Sequence, residues 1–392
     1  MEKENIIRTA QELIRIPSEN PPGNEEACAD YVERFLLDAG IETYRKYVED
    51  RRPNIFAKLR GYPNKPFIIL AHMDTVRAGE NWGVNPFSAE IRGKKLYGRG
   101  SADMKGGLSL AMHLAAEISK MKLKLKRDFL VCITVDEEGP LMKGVVNLIE
   151  EGVIPKEAFV LALEPTDLRL AMATKGVMWY EVTITGKSAH AANAWEGVDA
   201  ISGMLSAIHS LRAYVENLEH NDPVLGKPQI LVGKIAGGEQ VNIVPSLCKA
   251  EIDLRFVPPL DCAGVQEIIN KAIKDACSTV KGIDGSVKTL SLERPTFYAR
   301  DHSVLVNLLE DSFFQIMGRQ LEKFGTWGYT DAAVVGVRNN NPDCLIFGPG
   351  NIAQAHAVDE FILVDDLVKC YEILLQTTVS FLTREDEGDI CK

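Results

Sequence analysis

The sequence predicts an α/β protein with a mostly parallel central sheet, interrupted by a compact α+β insert. Two observations support this prediction. Up to about residue 175, short apolar runs alternate with helical patterns, as they do where helices connect parallel strands. From about residue 177 to 292 the order becomes β-α-β-β-α-β, which is typical of a ferredoxin-like sandwich. We therefore expect one domain made of residues 1–176 and 293–392, with a second domain, residues 177–292, inserted into it.

The elements of the first domain follow from local patterns. The first 40 residues predict two amphipathic helices around the loop IPSENPPGNE, because Pro21, Pro22 and Gly23 break the first helix. The run FIIL is too short and too β-branched for a helix, so it predicts a buried strand. By the same criteria, the further strand candidates are NIFAKL, FLVCITVD and FVLALEP, and the helical candidates are GGLSLAMHLAAEISKM and KGVVNLIEEG.

The insert has a different character. Its first segment, VMWYEVTITGKSAH, alternates apolar and polar residues, which favours a half-exposed strand. The segments that follow are predicted in the order helix, strand, strand, helix, strand: DAISGMLSAIHSLRAYVENL, QILVGKIAGG, CKAEIDLRFV, EIINKAIKDACSTV and VKTLSLERP. After about residue 293 the chain returns to helices and short strands and ends in a helix.

Composition excludes several classes of function. The formal net charge of −11 argues against a nucleic-acid-binding protein. No apolar run approaches the roughly 18 residues that a membrane span needs, and the start MEKENIIRTAQELIRI lacks the apolar core of a signal peptide. The 8 cysteines form no CxxC pair, which indicates reduced thiols. We expect a cytoplasmic protein without membrane or nucleic-acid partners.

Side chains suited to metal binding and proton transfer follow the strand candidates. In an open α/β sheet the carboxyl ends of the strands line the ligand crevice, and carboxylates and imidazoles contribute little to a core. His72 and Asp74 are two apart, so on a continuing strand they share a face and the carboxylate could hold the imidazole in one tautomer. The full set is His72, Asp74, Asp103, Asp136 to Gly139, Glu164 and His356.

Two histidines and three of the carboxylates in this set suit a site for borderline divalent metals, chiefly zinc. Five ligands exceed what one tetrahedral ion with an open position needs, so two ions sharing a bridging carboxylate fit better. Asp103, between glycine-rich turns, is the natural bridge, and the Glu137-Glu138 doublet could divide metal binding from proton transfer. Each motif alone has a plainer interpretation. DEEG is commonly a surface turn, and His72 with Asp74 could be a turn with a solvated carboxylate.

Five motifs in this order and spacing resemble the ArgE/DapE/aminoacylase (M20-type) family of co-catalytic metallopeptidases and deacylases. They are HMDTV, GRGSADMKGG, DEEG, EPT and AHAVDE, and the resemblance covers nearly the whole chain. It implies a zinc-peptidase-like catalytic domain, a ferredoxin-like lid and dimerisation domain, and a homodimer. It also implies two Zn²⁺ per subunit, for which Co²⁺ can substitute, and a cis peptide bond after Asp103.

The resemblance also implies a role for each site residue. Asp103 would bridge the two ions, His72 and Glu164 would complete one site, and Glu138 and His356 the other. Asp74 would orient His72, and Glu137 would be the general base.

The insert supplies three further candidates by the same resemblance. His190 in GKSAH would reach the active site of the partner subunit and stabilise an oxyanion, although a surface histidine is the plainer interpretation. Asn242 in GGEQVNIVPS and Arg255 in DLRF would hold the substrate carboxylate, Arg255 through a bidentate contact. A structural salt bridge is the alternative for Arg255.

The substrate is less well indicated. GPGNIAQAHAVDE resembles acetylornithine deacetylases most, so the leading expectation is hydrolysis of a small N-acyl-L-amino acid. WGYTDAAVVG, where the family contacts the acyl or side-chain end of the substrate, departs from that pattern. A succinyl-diaminopimelate desuccinylase, a dipeptidase and a broad aminoacylase therefore remain alternatives. A two-metal phosphoesterase and a non-catalytic metabolite-binding relative are alternatives from other classes.

Overall fold

The structure is a computed structural model that describes residues 2–62, 64–326 and 328–385. The chain divides into two compact units. The first comprises Met1–Met172, Tyr298–Phe324 and Thr330–Lys392, and the second comprises Ala173–Phe297 and Gly325–Tyr329. The predicted domain boundaries lie four and five residues from the points, after residues 172 and 297, at which the chain passes from one unit to the other. The prediction from sequence places residues 325–329 in the first domain, whereas in the structure they belong to the second unit. Within the second unit, the amide of Lys175 donates to the carbonyl of Thr326 (3.2 Å), a long-range pairing that leaves no local sequence signal.

The helices and strands of the described residues are as follows, in chain order. The helices are α1 (Glu2–Ile14), α2 (Glu26–Asp38), α3 (Gly106–Met121), α4 (Lys143–Glu150), α5 (Ala200–Glu216), α6 (Cys262–Thr279), α7 (Val304–Met317), α8 (Asp331–Asn339) and α9 (Val364–Thr383). The strands are β1 (Glu42–Glu49), β2 (Arg52–Leu59), β3 (Phe67–His72), β4 (Ile91–Arg92), β5 (Lys95–Tyr97), β6 (Phe129–Thr134), β7 (Phe159–Ala162), β8 (Leu170–Thr174), β9 (Gly176–Thr185), β10 (Gln229–Gly237), β11 (Leu247–Phe256), β12 (Asp284–Thr289), β13 (Phe297–Tyr298), β14 (Lys323–Thr326), β15 (Cys344–Ile346) and β16 (Phe361–Leu363).

A mixed sheet forms the centre of the first unit, with strand order β1-β2-β6-β3-β7-β15-β8-β13 and β14 paired with β8. The four central strands, β6, β3, β7 and β15, run parallel, whereas β1, β2 and β8 pair antiparallel to their neighbours. Every residue of β3 and β6 is buried, as expected for parallel strands covered on both faces. The predicted α/β fold with a mostly parallel centre is confirmed.

Helix α3 anchors the layer of helices on this sheet. It packs against α1, α2 and α9, and its residues Leu108, Ala111 and Leu114 are fully buried in the main apolar cluster. Burying a leucine side chain stabilises the fold by roughly 1.5–3 kcal/mol. Packing in this apolar cluster therefore fixes the position of α3, and it also fixes the Asp103 turn from which α3 begins.

The second unit is an antiparallel sheet with strand order β10-β11-β9-β12 and two helices, α5 and α6. Strands β9 and β11 bury alternate residues, and these meet apolar residues of the helices in a separate core. The order of elements and the sheet order are those of a ferredoxin-like sandwich, as predicted. Strand β10 is an edge strand whose outer residues Leu231 and Ile235 are exposed.

Within the described ranges, no helix has both the length and the apolar character needed to cross a bilayer. The seven described cysteines are unpaired thiols, and Cys391 lies outside the described residues. The cytoplasmic location stays a prediction.

Candidate active site

The carboxyl ends of three adjacent parallel strands bring the predicted residues together. In the order β6-β3-β7, strand β3 ends at His72, β6 is followed by the turn Asp136 to Gly139, and β7 is followed by Glu164. His72 lies opposite Thr134 in the β3–β6 register. These ends must lie at one edge because parallel strands point the same way, and that is why three distant motifs meet.

His72 lies at the centre of the cluster, with 1% of its side chain exposed. Its Nε2 lies 3.3 Å from Asp103 Oδ1, 3.7 Å from Glu164 Oε2 and 3.8 Å from Glu137 Oε2. Its Nδ1 lies 2.8 Å from the backbone oxygen of Asp74, which can only accept a hydrogen bond, so Nδ1 carries a proton. In the neutral imidazole this leaves the lone pair on Nε2, the atom that faces the carboxylates.

Asp103 lies between the two histidines. It belongs to the irregular turn Ser101–Lys105 at the start of α3, and the peptide bond from Asp103 to Met104 is cis, as predicted. Its Oδ1 faces His72, and its Oδ2 lies 3.6 Å from Nε2 of His356. The two oxygens of one carboxylate thus point at two imidazoles, which is the arrangement expected of a bridging ligand.

His356 and Glu138 form the other half of the cluster. Nε2 of His356 lies 3.0 and 3.2 Å from the two carboxylate oxygens of Glu138. The histidine side chain is 56% exposed, whereas that of Glu138 is 8% exposed. The hydrogen bond to Glu138 raises the pKa of His356 to about 9.

The electrostatics of the cluster favour a bound cation. Burial raises the pKa of Glu137 well above its usual value, and the charge of Glu164 adds to the effect. Burial also raises the pKa of Glu138 and of Glu164. Burial opposes ionisation of Asp103 too, but the hydrogen bond and charge of His72 outweigh it and lower the pKa. A divalent ion would relieve the repulsion among these buried carboxylates.

The donor set fits such an ion. One ligand atom from each of His72, Asp103 and Glu138 can be chosen so that all three lie within 4.8 Å of one another. Imidazole nitrogen and carboxylate oxygen are the donors that zinc and its neighbours prefer. Glu164 and His356 extend this set on opposite sides, beside His72 and Glu138 respectively.

Asp74 contacts His72 differently from the prediction. Its carboxylate lies 3.7 Å from Nδ1, beyond hydrogen-bonding distance, and the backbone oxygen takes that place. The side chain instead accepts hydrogen bonds from the backbone amides of Glu137 (3.2 Å) and Glu138 (3.1 Å). The expectation that His72 and Asp74 share a face requires a strand that continues to residue 74. Strand β3 ends at His72, so the alternation of faces no longer applies to Asp74.

Sequence reasoning missed Glu360, a fully buried residue that holds the Asp103 turn. Its Oε1 accepts hydrogen bonds from the amides of Ala102 (2.8 Å) and Asp103 (3.1 Å). Its Oε2 accepts from the amide of Gly100 (3.0 Å) and from Nη1 of Arg99 (2.7 Å). Burial raises the pKa of Glu360 to about 7. The available signal was its position four residues after His356.

Asp331, at the start of α8, is a second buried acid that the sequence did not single out. Its Oδ2 lies 2.6 Å from Oγ1 of Thr134, the last residue of β6, and its buried Oδ1 has no hydrogen-bond partner among the described residues. Burial raises its pKa to about 8. The Thr134 hydroxyl also lies 3.2 Å from the carbonyl of Ala71. With one hydrogen it cannot serve both acceptors, so a protonated Asp331 that donates to Thr134 satisfies both contacts.

The second unit holds the other three predicted residues. His190 and Asn242 are exposed, and their segments are joined by a hydrogen bond from the amide of Ala191 to the carbonyl of Asn242 (2.9 Å). Nδ1 of His190 accepts from the amide of Ala192 (3.0 Å), so the ring proton lies on Nε2 in the neutral form. The structure therefore brings these two residues together on one surface and leaves His190 able to donate.

Arg255 lies on β11 and pairs with Asp253 on the same strand. Its Nε and Nη2 lie 3.2 and 3.0 Å from the two carboxylate oxygens. Asp253 also accepts from the indole of Trp179 (3.0 Å). The structural salt bridge is thus formed, and the role of Arg255 as a substrate clamp stays a prediction.

Comparison with known proteins identifies the family and supports the fold. The sequence model described as Peptidase family M20/M25/M40 matches residues 68–379. A curated relative from Staphylococcus epidermidis, named a probable succinyl-diaminopimelate desuccinylase, is 26% identical, and the match covers 98% of this chain and 99% of the relative. A solved tripeptidase from Staphylococcus aureus aligns with a TM-score of 0.78 at 20% identity, covering 97% of this chain and 99% of that one. A solved M20 family metallo-carboxypeptidase from Sulfolobus solfataricus aligns with a TM-score of 0.80 at 19% identity, covering 95% and 98%.

Proposed function

This chain belongs to peptidase family M20/M25/M40, and from that premise we propose that it hydrolyses the amide bond of a small N-acyl-L-amino acid with the help of two divalent metal ions. The observation that carries the proposal is the arrangement around Asp103. Its two carboxylate oxygens face His72 and His356, and Glu137 lies beside the first histidine without facing the second. This leaves one buried carboxylate for proton transfer.

His72, Asp103 and Glu164 would hold one ion, and Asp103, Glu138 and His356 the other. Zn²⁺ is the ion that the donor set suits best, and Co²⁺ is expected to substitute because it accepts the same donors. Ions bound there would polarise the amide carbonyl and make a water molecule more acidic.

Glu137 would be the proton carrier. Its carboxylate accepts the proton of the attacking water and then gives it to the leaving amine, so one group serves as base and acid in turn. Burial and the charge of Glu164 raise its pKa, which makes it a stronger base than an exposed carboxylate. The backbone amide of Glu137 donates a hydrogen bond to the Asp74 carboxylate, and this bond fixes the backbone from which the Glu137 side chain extends.

Three residues of the second unit have proposed roles towards the substrate. Nε2–H of His190 is a suitable donor for the developing oxyanion, and Asn242 and Arg255 would bind the substrate carboxylate. We further propose that two copies associate through the second unit, so that His190 acts in the partner's site. Support comes from strand β10. No other strand of the described residues pairs with its outer edge, and that free edge and the exposed Leu231 and Ile235 suit pairing with a second copy.

Two candidate reactions differ only in the substrate that is hydrolysed. The glycine-rich approach to His356, GPGNIAQAH, favours an acetylornithine deacetylase-like reaction. The full-length relative named as a desuccinylase favours succinyl-diaminopimelate equally. The segment 327–336, expected at the acyl end of the substrate, contains the buried Asp331, and Trp327 in it lies outside the described residues. A dipeptidase or a broad aminoacylase would use the same chemistry.

The deciding experiment is a substrate panel with purified protein that has been stripped of metal and reloaded with Zn²⁺ or Co²⁺. It contains N-acetyl-ornithine, N-succinyl-diaminopimelate, other N-acyl-amino acids, several dipeptides and a phosphate ester. Metal-dependent cleavage of one amide supports the proposal and names the substrate. Cleavage of the ester alone would support the phosphoesterase alternative, and inactivity without metal uptake would support the metabolite-binding one.

A further inference from the structure

A buried chain of polar side chains joins the loop between α1 and α2 to the turn that carries Glu137. We propose that Asn20 is a positioning residue of the active site. Its side-chain amide holds Asp74 and Asp136 together, and through them it fixes the backbone of Glu137 and Glu138. Among the described residues, the side-chain hydrogen bonds of Asn20 go to Asp74 and Asp136, neither of which is a proposed metal ligand, so it would act through these two carboxylates.

The Asn20 side chain is placed for this role. Its Nδ2 donates to Oδ2 of Asp74 (2.9 Å) and to Oδ1 of Asp136 (3.1 Å), so both hydrogens of one nitrogen are used. The residue is 8% exposed. Its own backbone is fixed as well, because its amide donates to the carbonyl of Thr75 (2.7 Å), whose amide donates to Ser18 (3.0 Å).

Asp74 passes this constraint to the site. It is fully buried, and its two oxygens accept the backbone amides of Glu137 and Glu138, as described above. Those two residues carry the proposed base and a proposed ligand. A shift of Asp74 would therefore move both side chains at once.

Asp136 constrains the same turn from its other side. Its φ of 63° lies in the left-handed region, which costs a non-glycine residue roughly 1–2 kcal/mol. Its Oδ2 accepts the amide of Lys143 (3.1 Å), and its Oδ1 is shared between Asn20 and Nη1 of Arg52 (3.0 Å). Arg52 is held in turn by Glu25, at 2.6 Å from Nη2 and 3.0 Å from Nε. The turn thus keeps its conformation because its first side chain is bound from three directions.

The chemistry explains why an amide occupies position 20. Two carboxylates that both approach one atom within about 3 Å need a donor between them, and a buried unpaired carboxylate is costly. An amide nitrogen supplies two hydrogens without adding a charge that would need its own partner. Positioning groups of this kind are typically worth 10–100-fold in activity or metal affinity, and small displacements of a base reduce the rate strongly.

Asn20→Asp is the sharpest test, because it keeps the shape and replaces the donor by an oxygen that faces two carboxylates. Asn20→Ser is the milder variant, since its hydroxyl can serve one carboxylate only. The matched control is Asn341→Asp. Asn341 is 6% exposed and donates to the carbonyl of Ala158 (2.7 Å) at the amino ends of the strands, away from the site.

Two quantities are measured on the purified protein with all its residues. The first is the pair of values kcat and KM, determined separately at saturating metal on the substrate that the parent cleaves. The second is the binding isotherm of Co²⁺ alone, followed by its visible absorption. The catalytic part depends on the proposed function, whereas the isotherm reports the placement of Glu138 even if no amide is cleaved.

We expect kcat to fall about 10–100-fold in Asn20→Asp, and less in Asn20→Ser, with KM nearly unchanged. One of two Co²⁺ sites should weaken about tenfold or more, and Asn341→Asp should change neither quantity. If Asn20→Asp does not fold, the Asn20→Ser result decides in the same way. Parent-like kcat and Co²⁺ binding in a folded Asn20 variant, or equal losses in Asn341→Asp, would overturn the proposal.

Discussion

Replacing Glu360 by glutamine should detach the Asp103 turn from the rest of the first unit. The carboxylate of Glu360 accepts four hydrogen bonds, from Arg99 and from the amides of Gly100, Ala102 and Asp103. Glutamine keeps one oxygen, so two donors retain their acceptor. The other two would face an NH₂ group, and Arg99, 2% exposed, would lose its counter-ion.

The size of the effect follows from these contacts. A hydrogen bond to a charged group contributes about 1.5–3 kcal/mol, so two lost bonds cost about 3–6 kcal/mol. Part of this is returned because burial disfavours the charged form of Glu360 and raises its pKa to about 7. The expected loss is therefore about 3–5 kcal/mol, which is also the usual effect of removing one partner from a buried ion pair.

Hydrogen exchange read by mass spectrometry measures this loss locally. The amides of the segment 99–104 should exchange roughly 10²–10⁴ times faster in Glu360→Gln, and metal affinity should fall because Asp103 is no longer held. The control is Asp359→Asn. Asp359 accepts the amides of Gly83 (2.8 Å) and Val84 (3.3 Å) through Oδ1 alone, so asparagine can keep both bonds.

Protection of segment 99–104 at the parent level in Glu360→Gln, with metal affinity unchanged, would refute the reasoning. The same would follow if Asp359→Asn caused an equal loss, since the effect would then come from any substitution in this loop.

Three further predictions concern the site. Glu137→Gln should keep its metal content and lose turnover by about 10²–10⁴-fold; parent-like rates would remove the general-base role. Asp331 has its pKa raised from 3.8 to about 8 by burial, so its contribution to stability is full below about pH 4 and is lost as pH rises towards 8. With metal removed by a chelator, the free energy of unfolding of the parent, measured relative to that of Asp331→Asn, should therefore fall across that window by up to about 1.4 kcal/mol per pH unit. A difference between the two proteins that stays the same at every pH in urea denaturation would contradict this. Mixed dimers of His190→Ala and Glu137→Gln subunits should regain partial activity, which the inactive homodimers lack; no recovery in a verified mixed dimer would exclude action of His190 in the partner's site.

The clustering of the proposed metal ligands could be predicted from sequence because most of them lie at or after the ends of strands. His72 is the last residue of β3, and the Glu137-Glu138 pair and Glu164 lie within four residues of the ends of β6 and β7. Parallel neighbours bring such ends together without further information. Asp103 and His356 lie in glycine-rich turns whose motifs are unusual enough to be noticed. The pattern of the strands thus carried both the fold and this part of the site.

The supporting residues could not be predicted in this way. Glu360 and Arg99 are 261 residues apart in the chain, and nothing local to either indicates a buried pair. Charged side chains are rarely fully buried, and no local pattern in the sequence marks Glu25, Arg52 and Asp331 as buried residues. The predicted contact of the Asp74 carboxylate with His72 is not formed for another reason. The alternating pattern of a strand gives no information about the turn that follows the strand.

The strand order also has a consequence for synthesis on the ribosome. Strand β15 lies between β7 and β8 in the sheet, yet it begins at residue 344, whereas β8 ends at residue 174. At about 5–20 residues per second, the nascent chain waits roughly ten to thirty seconds with the outer edge of β7 uncovered. His356 and Glu360 emerge later still. Metal capture by the full set of proposed ligands is therefore confined to chains synthesised past residue 356, and a product truncated before that residue should fail to retain both ions.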